Sequence, residues 1–286
     1  MAQDPTIPRV LSIAGSDSGG GAGIQADLKA FARAGVHGMT AITAITAQNT
    51  VAVTAVHPVP PDTIVEQVRA IVDDIGVDAV KIGMLGDVAT IEAIETALDL
   101  LAGAPVVLDP VMVAESGAVL LETDARRALV ERLVPRAAVV TPNLPEAREL
   151  VAAGPAREGD GSGADPEPLA RAVHALGPGA VVVTGGHLDA GEDLFFDGDR
   201  LVPIPGERHP EGAAHGSGCT HSSTLAARLA WGDDPLEAAR VARAVASEAV
   251  GAGLRGIGGG SGPVDALGLA DRAPRRRART ARGRLT

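Results

Sequence analysis

The sequence is almost without aromatic residues, with three Phe, one Trp and no Tyr in 286 residues. Surfaces that stack nucleobases draw on several such rings, so nucleic acid is not expected as a partner. The core must instead be built from Ala, Val, Leu and Ile, within an apolar content of 45%. Cysteine occurs once, at Cys219, so no intrachain disulfide can form, which fits a reducing compartment. Lysine occurs only at Lys29 and Lys81, and neither follows a glycine. The phosphate-binding pattern G-x-x-x-x-G-K-[ST] is therefore absent. No apolar run approaches the ~20 residues that span a bilayer, and Met1-Ala2-Gln3-Asp4-Pro5 lacks the basic-then-apolar form of a secretory leader. A cytoplasmic protein with no membrane partner is expected.

Positive charge is scarce until the end of the chain. The formal net charge is −11, yet Arg272–Thr286 holds seven Arg and no acid, so residues 1–271 carry −18. An acidic body disfavours polyanionic partners. The run Arg275-Arg276-Arg277 reads as part of a solvated, disordered tail over 266–286, with one folded domain over 1–265.

Apolar runs alternate with helical patterns along that domain. Strands are predicted at Arg9–Ala14, within Val36–Thr46, and at Val51–Val56, Asp78–Met84, Pro105–Asp109, Ala137–Thr141 and Ala180–Thr184, with a hairpin over Leu194–Ile204 around Asp197-Gly198. Helices are predicted between them, the first over Ile24–Ala34 with Ile24, Leu28 and Phe31 on one face, and another near Asp124–Leu133. Gly154–Pro168 reads as a mobile surface loop and Gly256–Gly262 as a flexible linker. Such alternation predicts an α/β fold with a mostly parallel sheet covered by helices on both faces. Ligands of such sheets bind beyond the C-terminal strand ends, where Gly15–Asp17, Gln48, Met84, Asp109, Asn143 and Gly185-Gly186 fall.

The rest of the chain is organised around His215-Gly216-Ser217-Gly218-Cys219-Thr220, which precedes an alanine-rich helical stretch. Two glycines let successive N–H groups face one point, and the following helix adds its dipole, so the turn is suited to phosphate. The same field is expected to lower the pKa of Cys219. The competing reading is a loop that caps a buried helix and holds a small buried thiol. The second glycine cluster, Gly19–Gly23, lacks the spacing and the distant acid of a dinucleotide fingerprint. Asp109, Asn143 and Glu146 follow neighbouring strands and offer hard oxygen ligands for Mg²⁺; the alternative is that Asp109 and Asn143 cap helices. His215 and His221 flank the turn, where a surface role is expected before a place beside phosphate.

Six ordered motifs then carry a resemblance: Ala14–Lys29, Thr43–Thr50, Val80–Leu85, Val107–Met112, Thr141–Glu146 and His215–Thr220. Together they resemble the hydroxymethylpyrimidine/phosphomethylpyrimidine kinases of thiamine biosynthesis, within the ribokinase-like superfamily. The resemblance implies ATP and Mg²⁺ as cofactors, a small pyrimidine alcohol as substrate, and a homodimer. It also implies a pyrimidine pocket at Gln48, Gly15, Asp17, Met84 and Val111, and an anion hole at Gly216, Ser217 and Gly218. Cys219 falls at the superfamily's base position, Asp109 and Glu146 at its metal, and Asn143, Thr184 and Gly186 beside its nucleotide. Thr184-Gly185-Gly186-His187 departs from the family's Lys-Gly-Gly-His, so a cationic ATP contact is missing or comes from an arginine. The rivals are a pyridoxal kinase of the same fold and a non-catalytic pyrimidine-binding regulator.

Overall fold

Short aliphatic runs, each closed by glycine, proline or a polar residue, form nine strands of one sheet among the described residues of the computed structural model, which are 6–101, 103–155, 165–185 and 191–272. The central strand is β1 (Arg9–Asp17), parallel to β2 (His37–Gln48) on one side and to β4 (Ala79–Ile82) on the other. The parallel run continues through β5 (Val106–Leu108), β6 (Val139–Val140) and β7 (Ala180–Val183). Antiparallel strands close both edges. They are β3 (Val53–Pro58) against β2, and the hairpin of β8 (Asp193–Phe196) and β9 (Leu201–Ile204) against β7. Strands are added to one side of β1 and then to the other, and such a switch leaves a crevice at the C-terminal strand ends.

Helices cover both faces, as the alternation predicts. On one face lie α2 (Pro61–Asp74), α3 (Val88–Leu98), α4 (Thr123–Ala128), α5 (Leu144–Ala153) and α6 (Pro166–His174), around a core that includes Leu11, Ile13, Val80, Ile82, Leu108 and Val183. On the other lie α1 (Gly23–Ala34), α7 (Ser217–Ala230) and α8 (Pro235–Gly251). Their core joins Val10, Phe31 and Val107 to Ala226, Ala227, Ala238, Ala239 and Ala242. Alanine seams replace the missing aromatics there, because small side chains let the helices approach closely.

Four local expectations change. The inward face of α1 runs through Ile24, Asp27 and Phe31, leaving Leu28 exposed; Asp27 is buried because a buried cation meets it, as described below. The helix near Asp124–Leu133 is α4 followed by a π turn (Leu129–Leu133) and a 3₁₀ turn (Val134–Arg136). Pro135 supplies no N–H and crowds the preceding turn, so a regular α-helix cannot run on. The stretch 256–262 is pinned rather than a free linker: Gly260 N–H donates to Thr50 Oγ1 at 3.2 Å, and a Cβ at Gly260 would lie 1.8 Å from Thr50 O. The folded chain also passes residue 265. Ala266 is buried, and Asp265 accepts the N–H groups of Leu269 and Ala270 at the start of a last short helix, α9 (Leu269–Arg272). The Arg275–Arg277 run and most of the loop expected at Gly154–Pro168 lie outside the described residues.

Candidate active site

Beyond the C-terminal ends of β1, β4, β5, β6 and β7 lies a cavity of about 400 Å³. Gly15, Asp17, Gln48, Met84, Asp109, Val111, Asn143, Glu146, Thr184, Gly216, Ser217, Gly218 and Cys219 all line it. Gly186 and His187 lie outside the described residues.

One wall is the start of α7. Gly216 turns the chain in the left-handed region (φ 87°), and a Cβ there would sit 1.8 Å from Gly21 O, so only glycine fits. No side chain caps this helix. Ser217 N–H is taken by Ala214 O and Thr220 N–H by Gly216 O, which leaves the N–H groups of Gly218 and Cys219 as first-turn donors. A Cβ on Gly218 would have Asp109 Oδ2 as its nearest neighbour, at 3.9 Å. The cradle and the acid therefore face the same space.

The acid end is built from adjacent strands. The Asp109 carboxylate, just after β5, accepts the Ser222 hydroxyl at 2.9 Å. Asn143 does cap α5: its side chain accepts Glu146 N–H, while Glu146 Oε2 accepts Asn143 N–H, both at 2.9 Å. That reciprocal box fixes Glu146 beside the cavity. Burial, and next the charge of Asp109, push Glu146 up to about 8 against the N–H groups of Asn143 and Met112. Burial, with Asp27 adding to it, also raises Asp109, against Lys81, Ser222 and His221. Among the described residues, no cluster of three or more His, Cys, Asp or Glu could hold a metal. Two crowded, hard carboxylates nevertheless suit Mg²⁺, which keeps waters and substrate oxygens in its shell.

Cys219 departs from expectation. Burial, together with Asp27 and Asp109, pushes its thiol up to about 12, against Lys81 and the Gly23 N–H. The expected lowering does not occur because helix-end donors count for less than lost hydration beside two carboxylates.

The two histidines are not surface residues. His221 is buried with Nε2 3.1 Å from Asp193 Oδ2, an ion-pair distance whose angles miss a hydrogen bond. His215 is also buried, its Nε2 3.1 Å from Asp17 Oδ2. Asp17 also accepts the N–H groups of Gly19, Gly21 and Ala22 at 2.7–3.0 Å. Burial would raise its pKa, but His215 and the N–H groups of Ala22 and Gly19 outweigh that and lower it. Asp17 thus organises the first glycine loop from within, its carboxylate oxygens already engaged.

A family model described as phosphomethylpyrimidine kinase matches residues 17–265. The chain belongs to the phosphomethylpyrimidine kinase family. It is 51% identical over 257 residues to a hydroxymethylpyrimidine/phosphomethylpyrimidine kinase of Rhizobium meliloti, covering 89% of this chain and 95% of that one. Its fold is similar to the pyridoxal kinase from Staphylococcus aureus in complex with ADP (TM-score 0.81, 34% identity, 93% and 96% of the two chains). It is also similar to a phosphomethylpyrimidine kinase from Clostridium difficile 630 (TM-score 0.70, 38% identity, 82% and 96%).

Two features of the kinase escape a reading of motifs alone. Lys81 is fully buried below the cavity, its Nζ 2.9 and 3.1 Å from the Asp27 oxygens and 4.0 Å from Asp109 Oδ2. Asp27 further accepts the hydroxyls of Ser12 (2.5 Å) and Ser223 (2.7 Å). Burial alone would lower Lys81, but Asp27 and, beside it, Asp109 raise it, so the kinase keeps a fixed positive charge under its cradle. The signals in the sequence were a lysine inside the apolar run Ala79–Ile82 and an acid, Asp27, beside the apolar face of the first helix. The second feature is Arg243 on α8. Its Nε lies 3.7 Å from Asp193 Oδ1 and its Nη2 donates to Gly191 O, and like Thr184 it lines the cavity.

Proposed function

We propose that the protein is an ATP- and Mg²⁺-dependent kinase that phosphorylates the hydroxymethyl oxygen of 4-amino-5-hydroxymethyl-2-methylpyrimidine and then its monophosphate, in thiamine biosynthesis. The observation that carries the reading is one cavity lined by the cradle Gly216–Cys219, the acids Asp109 and Glu146, and the Gln48 amide. Family membership supports the substrate class.

In this reading Gln48 hydrogen-bonds the aminopyrimidine, and Gly15, Met84 and Val111 shape the pocket around it. Asp109 and Glu146 would hold Mg²⁺, which when bound would neutralise phosphate charge. Arg243 supplies the positive charge missing at Thr184. The hydroxymethyl oxygen attacks the terminal phosphorus of ATP, the bond to the ADP oxygen breaks, the hydroxyl proton leaves late in the step to the transferred phosphoryl group or to water, and the N–H groups at Gly218 and Cys219 receive the charge that develops. A thiol pushed up to about 12 keeps its proton at neutral pH, so Cys219 orients the alcohol more than it deprotonates it; a loose transition state needs little base. The monophosphate is already anionic and needs less still. Cys219→Ala should therefore slow the first phosphorylation by about tenfold, below the usual worth of a general base, and the second by less. Equal losses in both steps would show that Cys219 only shapes the site.

Similarity to a pyridoxal kinase supports a second reading, phosphorylation of pyridoxal. Comparing turnover on the two alcohols decides between them, and binding without ADP release would favour the non-catalytic rival. A homodimer is proposed for the assembly, to be checked by light scattering. Among the described residues, no helix is long and apolar enough to cross a membrane.

A further inference from the structure

Phosphoryl transfer in the reading above requires a fixed separation between the ring held at Gln48 and the phosphate held at the cradle. No single element carries both, since Gln48 ends β2 and the cradle opens α7. Besides the close backbone approach of Gly21 to Gly216, two lines of contact join them, and both end at His215. Along the first, the Ser18 hydroxyl accepts Gln48 N–H at 2.9 Å and donates to Gln48 O at 2.8 Å, and the adjacent Asp17 meets His215 Nε2. Along the second, Thr50 is gripped by Gly258 and Gly260, where added Cβ atoms would come within 2.0 Å of it. The same loop then exchanges backbone bonds with His215: His215 N–H donates to Gly262 O and Val264 N–H to His215 O, at 3.3 and 3.1 Å. The ring of His215 fills the space over Gly21, where a Cβ would lie 2.1 Å from Cδ2.

We propose that His215 is a positioning residue that sets the separation between the ring pocket and the phosphate cradle, by tying the Asp17–Ser18 and Gly258–Val264 segments to the residue just before Gly216. A purely structural histidine does not account for this pairing. Three backbone N–H groups already hold Asp17 and shape its loop, and the backbone at Gly21 already touches Gly216, so what His215 adds is a hydrogen-bonded tie between loop and cradle. Each half of the site keeps its own ligand contacts when that connection is cut, while their alignment suffers.

The test is steady-state kinetics with the pyrimidine alcohol, ATP and Mg²⁺ on the full chain. His215→Ala should lower kcat by about 100-fold while both KM values stay within about threefold, since a misplacement near 1 Å costs that much. His215→Gln, which can donate from near the Nε2 position, should recover at least about tenfold of the loss. Ser18→Ala and Thr50→Val, each cutting one line, should lower kcat several-fold. KM values that rise while kcat holds, or a Gln variant no better than Ala, would overturn the inference. If His215→Ala does not fold, the Ser18→Ala/Thr50→Val double variant decides: lowered kcat at unchanged KM supports it, and parental kcat overturns it. A parent that makes no ADP overturns the underlying reading and this inference with it, whereas an active parent with unaffected variants overturns this inference alone.

Discussion

The two faces of the central sheet are built from the same strands, one residue out of step, and they differ in kind. The face under α2–α6 is apolar along its length: Leu11 and Ile13, Val80 and Ile82, Val106 and Leu108, Val181 and Val183. The face under α1, α7 and α8 begins apolar, with Val10, Ala79, Val107 and Val139, and then turns polar, with Ser12, Lys81, Asp109 and Thr141 all buried. Replacing a buried ion pair by apolar residues is often neutral or stabilising, so the second face gives up stability at its strand ends. It does so where the cavity begins. One face holds the fold together, and the other spends part of its length carrying charge to the site.

Exchanging one residue on each face should separate the two roles. Asp109→Asn keeps the volume and should lower kcat by about 10²–10³, the cost of losing one charge-stabilising group, with a small change in urea midpoint. Leu108→Ala, its neighbour on the other face, should cost about 2–5 kcal/mol of stability and leave kcat near parental below the melting range. A large midpoint loss in the first variant and a large kcat loss in the second would erase the distinction. Lys81→Met comes next. It leaves Asp27 buried without its cation and should cost about 3–5 kcal/mol by urea unfolding. Adding Asp27→Leu should return much of that stability without returning activity. A double variant as unstable as Lys81→Met would mean that the pair contributes to the fold itself.

The smallest effect is in pH. Glu146 is held up to about 8 in the folded kinase, against 4.5 ordinarily. The folded state therefore keeps a proton that the unfolded chain loses, and this group's contribution to stability falls as pH rises between those values. Without added metal, the urea midpoint of the parent should drop relative to Glu146→Gln between pH 5 and pH 8. Parallel profiles would show that Glu146 is ionised already.

The strands, the parallel sheet and the carboxylates at the strand ends were legible because each depends on local pattern: period-two alternation, glycine after a strand, an acid after an apolar run. The cradle was legible because Gly216 has a conformation that only glycine adopts without strain. What stayed hidden depends on distant segments. Asp27 and Lys81 are 54 residues apart in the chain, so their pairing could not be read from either motif. Cys219 was expected low because its own helix is visible in the sequence, whereas the burial that raises it, and the carboxylates that add to this, come from segments far along the chain, α1 and the end of β5. His215 was expected at the surface because its partners, Asp17 and Gly262–Val264, flank it only in the fold.

Mass spectrometry of the products formed from the pyrimidine alcohol, ATP and Mg²⁺ decides whether the cavity performs both phosphorylations. The monophosphate should appear first and the diphosphate after it, with one ADP released for each phosphate added. Unchanged alcohol beside intact ATP, with the protein folded, would contradict the proposed activity.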